Sequence, residues 1–433
     1  MVFGELAAEE GSSPIALWAS CTVPDLLLLY SLAALGGTLV GSAVVLPRMR
    51  RIARLHPSVD PAGLAVRIPS GPRAAVIVAA RDEARTIEPA LRSLLSQLDP
   101  GLRIVVVDDR STDGTGAILE GIAEGEPGLL VQHVTDLPPG WLGKNHALAV
   151  GVAAAVADPD PPEYLLFTDA DVVFEPGGVR GAIAHLEDHG LDHLAGAPRV
   201  HAASWALAGQ IAAFGVLFGL FTRPWSVPNP QSSAHVGIGA LNLVRRSAYE
   251  RAGGHAAIAM RIDDDLRLGK AVKAAGGRSA FVFAGDVASL TWYPSLRAML
   301  RGLHKNTFAG INYSWTLAVA ATVFLLLVVV GPFVVAAFPS DWTGASSLAR
   351  GLGAAVAALH LVGAAESARS AELPRTSALF FPLGILAFLA VLWRSAIGAV
   401  TTGRISWRDT SYSLKELRRA APADPLHSPT ESA

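Results

Sequence analysis

Tyr164-Leu165-Leu166-Phe167-Thr168-Asp169-Ala170-Asp171 decides how the rest of the chain is read. An apolar run the length of a buried strand stops at two carboxylates, one residue apart. In an open α/β sheet, ligands gather beyond the carboxyl ends of the strands, so an acidic clamp belongs here. Acids at i and i+2 can grip a hard divalent cation, Mg2+ or Mn2+, through oxygen. The same pair also suits a turn, with Asp169 as its cap and Asp171 solvated. The other strand ends weigh that choice.

Strands and helices alternate on both sides of this stretch. Ala74–Ala80 reads as a continuous apolar strand, after which Arg81-Asp82-Glu83 opens a helix. Ile87, Leu91, Leu94, Leu95 and Leu98 follow at 3.6-residue spacing, which predicts one core-facing side. Arg103–Val107 is the next strand and ends on Asp108-Asp109, with Ser111, Thr112, Asp113 and Gly114 supplying turn chemistry. Leu129–Val134 reads as a third strand, and a Pro138–Lys144 loop then ends on a cation. The alternation predicts mostly parallel strands with helices on both faces, an α/β domain over residues 73–310. Parallel strands put Asp82-Glu83, Asp108-Asp109 and Asp169/Asp171 on one rim, and three acidic ends together predict a polar ligand site. Asp263-Asp264-Asp265 opens a later helix with Leu268 and Val272 on one side and Gly276-Gly277 at its end. Acids suit a helix start. Three exceed what capping needs, and crowded like charges raise a carboxyl pKa, as a general base requires.

The 433 residues are 51% hydrophobic and 17% charged, too apolar for an ordinary soluble protein. A net charge of −2 gives no global attraction to nucleic acid, and a lone Cys21 excludes an internal disulfide. A bilayer span needs about 20 apolar residues. Residues 24–47 supply one, preceded by a 1–23 segment carrying Glu5, Glu9 and Glu10. Arg48, Arg50, Arg51 and Arg54 follow, which predicts a retained anchor with the next domain in the cytoplasm. Residues 317–400 hold two or three further spans, at about 317–338 and 377–400, with a shorter Ala/Gly-rich run at 352–365. If all three cross, the polar tail 401–433, with Arg404, Arg408, Lys415, Arg418 and Arg419, lies outside, against the positive-inside preference; otherwise one segment is re-entrant. Residues 203–222 carry Phe214, Leu217, Phe218, Leu220 and Phe221 and read as a helix in the membrane interface. A core helix is the other reading.

Other candidates are weaker. His185, His189 and His193 have a zinc-like spacing, but Gly190 interrupts them. Gly237 and Gly239 suit either close approach of backbone to a sugar or a tight bend. His255 reads as structural, and Arg245 and Arg246 as the solvated start of a helix.

VIVAARDEARTI (76–87), VVVDDRSTDGT (105–115), GWLGKNHAL (140–148), FTDADVVF (167–174), GALNLVRRSAYERAGGH (239–255) and DDDLRLGKAVKAAGGR (263–278) together resemble the family 2 glycosyltransferases of GT-A fold. The surrounding membrane helices look like the lipid-glycosylating subgroup, hopanoid-associated and carotenoid enzymes among them. The resemblance implies a nucleoside diphosphate sugar donor, most often UDP-linked, and a membrane lipid acceptor, at a multi-pass site in the cell membrane. It places Glu83 and Asp109, with Asp108 beside them, at the nucleoside, and Lys144 near the diphosphate. It makes Asp169 and Asp171 the metal acids and Asp265 the base of an inverting displacement, with Asp264 in the first acid's place. The family's Glu-Asp is all aspartate here, so Asp265 rests on register. Where processive members carry Gln-x-x-Arg-Trp, this chain reads Gly302-Leu303-His304-Lys305-Asn306, which keeps a cation, loses the tryptophan and favours a single transfer. Transfer to a polyprenyl phosphate and a non-catalytic membrane scaffold with a nucleotide-binding domain are the competing readings.

Overall fold

The computed structural model describes residues 22–58, 73–97, 99, 101–407 and 410–420. The acidic segment before Cys21, Leu98, Arg408 and the end of the tail lie outside the described residues. Helix α1 (Val23–Arg50) leads into the sheet domain. Strands β1 (Ala74–Ala80), β2 (Leu102–Asp109), β3 (Leu129–Val134) and β4 (Tyr164–Asp169) form where the apolar runs predict them. The short β5 (Val173–Phe174), β6 (His193–Ala197), β7 (Arg199–Val200), β8 (Asn242–Arg245), β9 (Ser279–Phe283) and β10 (Ala288–Leu290) follow. The main sheet has seven strands in the order β3-β2-β1-β4-β8-β6-β9. Only β8 runs against its neighbours β4 and β6. Register pairs Ala80 with Asp108 and Ala79 with Asp169, so the predicted acidic rim exists.

Helices α2 (Ile87–Leu95), α3 (Thr115–Ala123), α4 (Gly143–Val156), α5 (Gly178–Asp188), α6 (Trp205–Thr222), α7 (Arg246–Arg251) and α8 (Asp264–Ala274) connect the strands. The first differs from expectation, because α2 starts at Ile87 and Arg81-Asp82-Glu83 is loop. Asp82 sits at φ +53°, outside helical space, and accepts hydrogen bonds from the Thr112 amide (2.8 Å) and hydroxyl (3.3 Å). The Glu83 amide donates to Thr115 Oγ1 at 2.8 Å. Cross-loop bonding therefore holds the segment away from the helix.

Alternate residues of each strand feed two layers. Val76, Val78, Ile104 and Val106 pack on the α2 side, and Ile77, Val105 and Val107 pack with Ala147, Leu148 and Val152 of α4. Beneath the first layer, Arg180 of α5 pairs with Asp99 (Nε–Oδ2 2.7 Å) with both side chains almost fully buried. Removing one partner of such a pair costs about 3–5 kcal/mol. Asp99→Ala is therefore expected to lower unfolding stability by about that much in a denaturant titration, with the rim geometry intact.

Past the sheet come α9 (Leu296–Gly302), α10 (His304–Gly310) and α11 (Trp315–Phe324). A π-helical stretch, Leu325–Val330, joins α11 to α12 (Gly331–Ala337), and α13 (Ser347–Ser370) and α14 (Phe381–Thr402) follow. The tail forms a hairpin, β11 (Arg404–Trp407) with β12 (Thr410–Ser413), then α15 (Leu414–Ala420). Among the described residues, five helical segments are long and apolar enough to cross a membrane: Val23–Arg50, Trp205–Ser226, Trp315–Ala337, Ser347–Ser370 and Arg375–Thr402. The Ala/Gly-rich run at 352–365 is thus the middle of a full-length helix, which Ser346 caps by accepting from the Ala349 amide.

Candidate active site

The rim gathers most of the sequence-predicted residues around one cation. Lys144, on the first turn of α4, lies 2.8 Å from Asp169 Oδ1 at the end of β4 and 3.2 Å from Asp264 Oδ2 at the start of α8. Phe167, Thr168, Gly239, Asn242, His255 and Asp265 line the same cavity. Burial opposes a charge on Lys144, but Asp169, Asp264 and Asp265 outweigh it and hold the ammonium protonated well above the ordinary lysine range. Burial, then Asp264, pushes Asp265 up to about 7, and burial likewise raises Asp264.

The three consecutive aspartates divide their work. Asp263 is taken by Arg261 (3.1 Å) and Arg267 (2.7 Å) and does not join the Lys144 cluster. Asp264 holds Lys144. Asp265 accepts from the Gly239 amide (2.9 Å) and the Leu266 amide (2.7 Å). Gly237 and Gly239 serve these acids. A Cβ at 237 would stand 1.8 Å from the Asp265 carbonyl oxygen, and one at 239 would stand 2.4 Å from Asp169 Oδ2. Gly239 also accepts from the Asp169 amide at 2.9 Å, so one residue ties β4 to α8. Gly239→Ala is expected to reduce turnover about 100-fold through displacement of Asp169, with the melting temperature showing that the fold persists.

Asp171, beyond β4, is pushed up to about 7 by burial and by Asp169 and Glu83 nearby. Glu83 accepts from Thr86 Oγ1 at 2.8 Å. Asp108 and Asp109 face opposite sides of β2. Asp109 takes two hydrogen bonds from Arg110 (Nε 2.7 Å and Nη2 3.1 Å), lies 3.8 Å from Arg81 Nη1 and faces the α4 side that carries Lys144. Asp108 turns to the other side, bonded to His133 (3.1 Å) and the Ser111 amide (3.3 Å). The geometry thus joins Lys144, Asp169, Asp264 and Asp265, sets Glu83 and Asp171 beside them, and leaves Asp108 apart.

Among the described residues, no three His, Cys, Asp or Glu side chains converge as a closed metal cage. His185 and His189 stack with ring centres 4.2 Å apart, while His193 is buried elsewhere against Asn242 Oδ1 (2.6 Å). Asp169 and Asp171 still fit a divalent cation. They offer hard oxygen donors, and Asp171, raised first by burial and then by Asp169 and Glu83, would be held ionised by a cation. A cation that also takes phosphate and water oxygens needs no more from the protein.

Sequence reasoning missed Asn145, which is wholly buried. Its Nδ2 donates towards the carbonyl oxygens of Ile258 (2.8 Å), Ala259 (3.1 Å) and Arg261 (3.0 Å). It ties the lysine loop to the segment leading into the acids. Its neighbour Lys144 was the available signal. His255, read as structural from the sequence, lines the cavity and is tied down there: the Tyr249 hydroxyl lies 2.9 Å from its Nδ1, and burial lowers its pKa to about 3.

A mostly parallel sheet with an acidic rim, an acid-held lysine and a second acid pair at a helix start defines a GT-A domain. Residues 75–253 match the model for Glycosyl transferase family 2, so the chain carries a domain of that family. It is 26% identical over 243 residues to the 4,4'-diaponeurosporenoate glycosyltransferase of Staphylococcus haemolyticus (strain JCSC1435). That match covers 55% of this chain and spans 61% of the relative's length. Among solved structures, the mannosyltransferase PcManGT from Pyrobaculum calidifontis, in complex with GDP-Man and Mn2+, shares the fold at a TM-score of 0.51. The identity there is 19%, over 90% of this chain and 100% of that one.

Proposed function

We propose that the protein is an inverting glycosyltransferase that moves one sugar from a nucleoside diphosphate donor, UDP-linked, to a hydroxyl of a membrane lipid. The observation that carries this reading is the Asp169–Lys144–Asp264 chain with Asp265 beside it. A phosphate-offsetting cation, a metal acid and a base occupy one cavity. Because Lys144 engages Asp264, the carboxylate outside that ion pair is Asp265, and it is the better proton acceptor. In the step, Asp265 takes the acceptor hydroxyl's proton as the oxygen bonds to the anomeric carbon, and the bond from that carbon to the diphosphate breaks. Lys144 faces the departing phosphate as a point charge. Asp169 and Asp171 would hold Mg2+ or Mn2+, which would neutralise the leaving diphosphate. Glu83 and Asp109 are the nucleoside-side groups, and Asp108 is their structural support.

A lipid acceptor is supported by the apolar helices around the domain and by the carotenoid-directed name of the relative. Single transfer is supported by the absence of a tryptophan at 302–306; the side chains of Lys305 and Asn306 lie outside the described residues. The catalytic domain then faces the cytoplasm, on the side of Arg48, Arg50, Arg51 and Arg54. Incubating purified membranes with a panel of labelled nucleotide sugars, then weighing the lipid extract by mass spectrometry, tests the reading. A lipid heavier by one sugar is expected, and label in a water-soluble polymer overturns it.

A further inference from the structure

Contacts between the apolar helices fix which of them reach across the bilayer. Leu27, Leu28 and Tyr30 of α1 pack with Val335, Ala345 and Ala349 at one end of a three-helix unit made of α1, α11–α12 and α13. At the other end Arg50 pairs with Glu366, while Arg54 (3.7 Å) and Arg199 (2.5 Å) pair with Glu372. Arg199 belongs to β7, and the Leu55 amide donates to the Phe283 carbonyl of β9 at 2.8 Å. This second end therefore adjoins the sheet domain.

Helix α14 takes a different course. Phe381, at its start, packs with Leu325, Val329 and Ala364, part-way along the unit. Trp393 meets Trp315 at the sheet-domain end of α11, 5.7 Å between ring centres, and its Nε1 donates to Thr322 Oγ1 at 2.9 Å. Ser395 Oγ then donates to the His304 carbonyl of α10 at 2.5 Å, and Ala396 and Ala399 pack with Leu142 and Phe308. The helix is about 33 Å long at 1.5 Å per residue, yet it starts mid-unit and leaves on the side of the sheet domain. Helix α6 also stays on that side. It begins shortly after β7, sets Phe214 edge-on to Trp292 (5.0 Å) and returns Phe218 to Ala195 and Phe281 of the sheet.

The tail follows α14. Ile405, Tyr412, Leu414 and Leu417 share one buried cluster with Leu142 and Ile262. Leu142 stands two residues before Lys144, and Ile262 two before Asp264. Arg418 donates to the Tyr313 carbonyl at 3.4 Å.

We propose that the chain crosses the bilayer three times, through α1, α11–α12 and α13, that α6 lies along the sheet-domain face of the membrane, and that α14 starts part-way into the bilayer and returns to that same face. Residues 404–407 and 410–420 then return to the active site and brace the two loops that carry Lys144 and Asp264. This arrangement places Arg404, Lys415, Arg418 and Arg419 on the same side as Arg48, Arg50, Arg51 and Arg54. The charge bias that four crossings would violate is satisfied by three.

The test needs no substrate. In a Cys21→Ser background, single cysteines replace Arg92 on α2, Asp341 between α12 and α13, or Lys415 on α15, all exposed positions. Membranes prepared as right-side-out and as inverted vesicles are treated with an impermeant maleimide. Lys415→Cys is expected to react in the same preparation as Arg92→Cys, and Asp341→Cys in the opposite one. Reaction of Lys415→Cys together with Asp341→Cys overturns the three-span course. Hydrogen exchange tests the brace. Leu417→Ala, which vacates buried volume, is expected to speed exchange of amides 140–146 and 259–266 about tenfold while β1–β4 stay unchanged. Unchanged exchange in both loops overturns it.

Discussion

Asp265→Asn is expected to cut kcat for transfer to a lipid hydroxyl by about 1,000-fold, the scale of a lost general base. Donor affinity, read as KM, should change little: the Gly239 and Leu266 amides now reach different carboxylate oxygens, and the carboxamide keeps one of those two acceptors. The wild-type pH profile supplies the companion result. Burial and Asp264 raise Asp265 to about 7. The base is therefore protonated and idle below that pH, and kcat should rise as pH passes through it. In Asp265→Asn that rise should vanish. Acceptor chemistry decides the interpretation. A polyprenyl phosphate arrives already ionised and needs no base, so a variant retaining most of its activity would remove the hydroxyl-acceptor reading and favour the phosphate one.

Lys144→Met should lower both stability and turnover. Lys144 is the cation shared by Asp169 and Asp264, and its loss leaves the buried Asp264 without its counter-charge beside the part-exposed Asp169. Breaking such an arrangement from one side costs about 3 kcal/mol, and the cost should depend on pH. Carboxyls whose folded-state pKa is raised stabilise the fold fully below their unfolded value near 4. They lose that stabilisation as pH rises through the folded value. Asp171 and Asp265 already sit near 7 with the lysine present. The variant should therefore melt close to wild type at pH 4 and well below it at pH 8. A deficit of equal size at both values would show that Lys144 acts by packing rather than charge. Added Mn2+ should restore part of the loss at pH 8, and this rescue should disappear when Asp169 and Asp171 are both changed to Asn.

Much of this site was legible because strand ends are legible. Apolar runs that stop on acids gave β1, β2 and β4, and parallel pairing then forced Glu83, Asp109 and Asp169 onto one rim. Pairing across long separations was not legible. Nothing near Lys144 in sequence shows that it holds Asp264, or that Asp263, one residue earlier, is claimed by Arg261 and Arg267. The helix after β1 was placed six residues early, since Asp82 looks like a helix opener and its left-handed φ depends on a partner thirty residues on. The short antiparallel β8 carries no pattern of its own, with four residues and little alternation. Membrane crossings were harder still. Length and apolarity do not separate a helix that spans from one that lies flat, and the three-span proposal rests instead on contacts such as Trp393 with Thr322.

A single carboxamide has an outsized effect on how this enzyme can diversify. Because Asn145 grips three carbonyl oxygens of the opposite loop, the Lys144 half and the Asp264–Asp265 half of the cavity share one hinge pin. Remodelling either half for a new sugar would drag the other out of alignment. Changes of donor preference should therefore come from Glu83, on the loop after β1, because Asp109 and Arg110 stand against Gly143 beside that linkage.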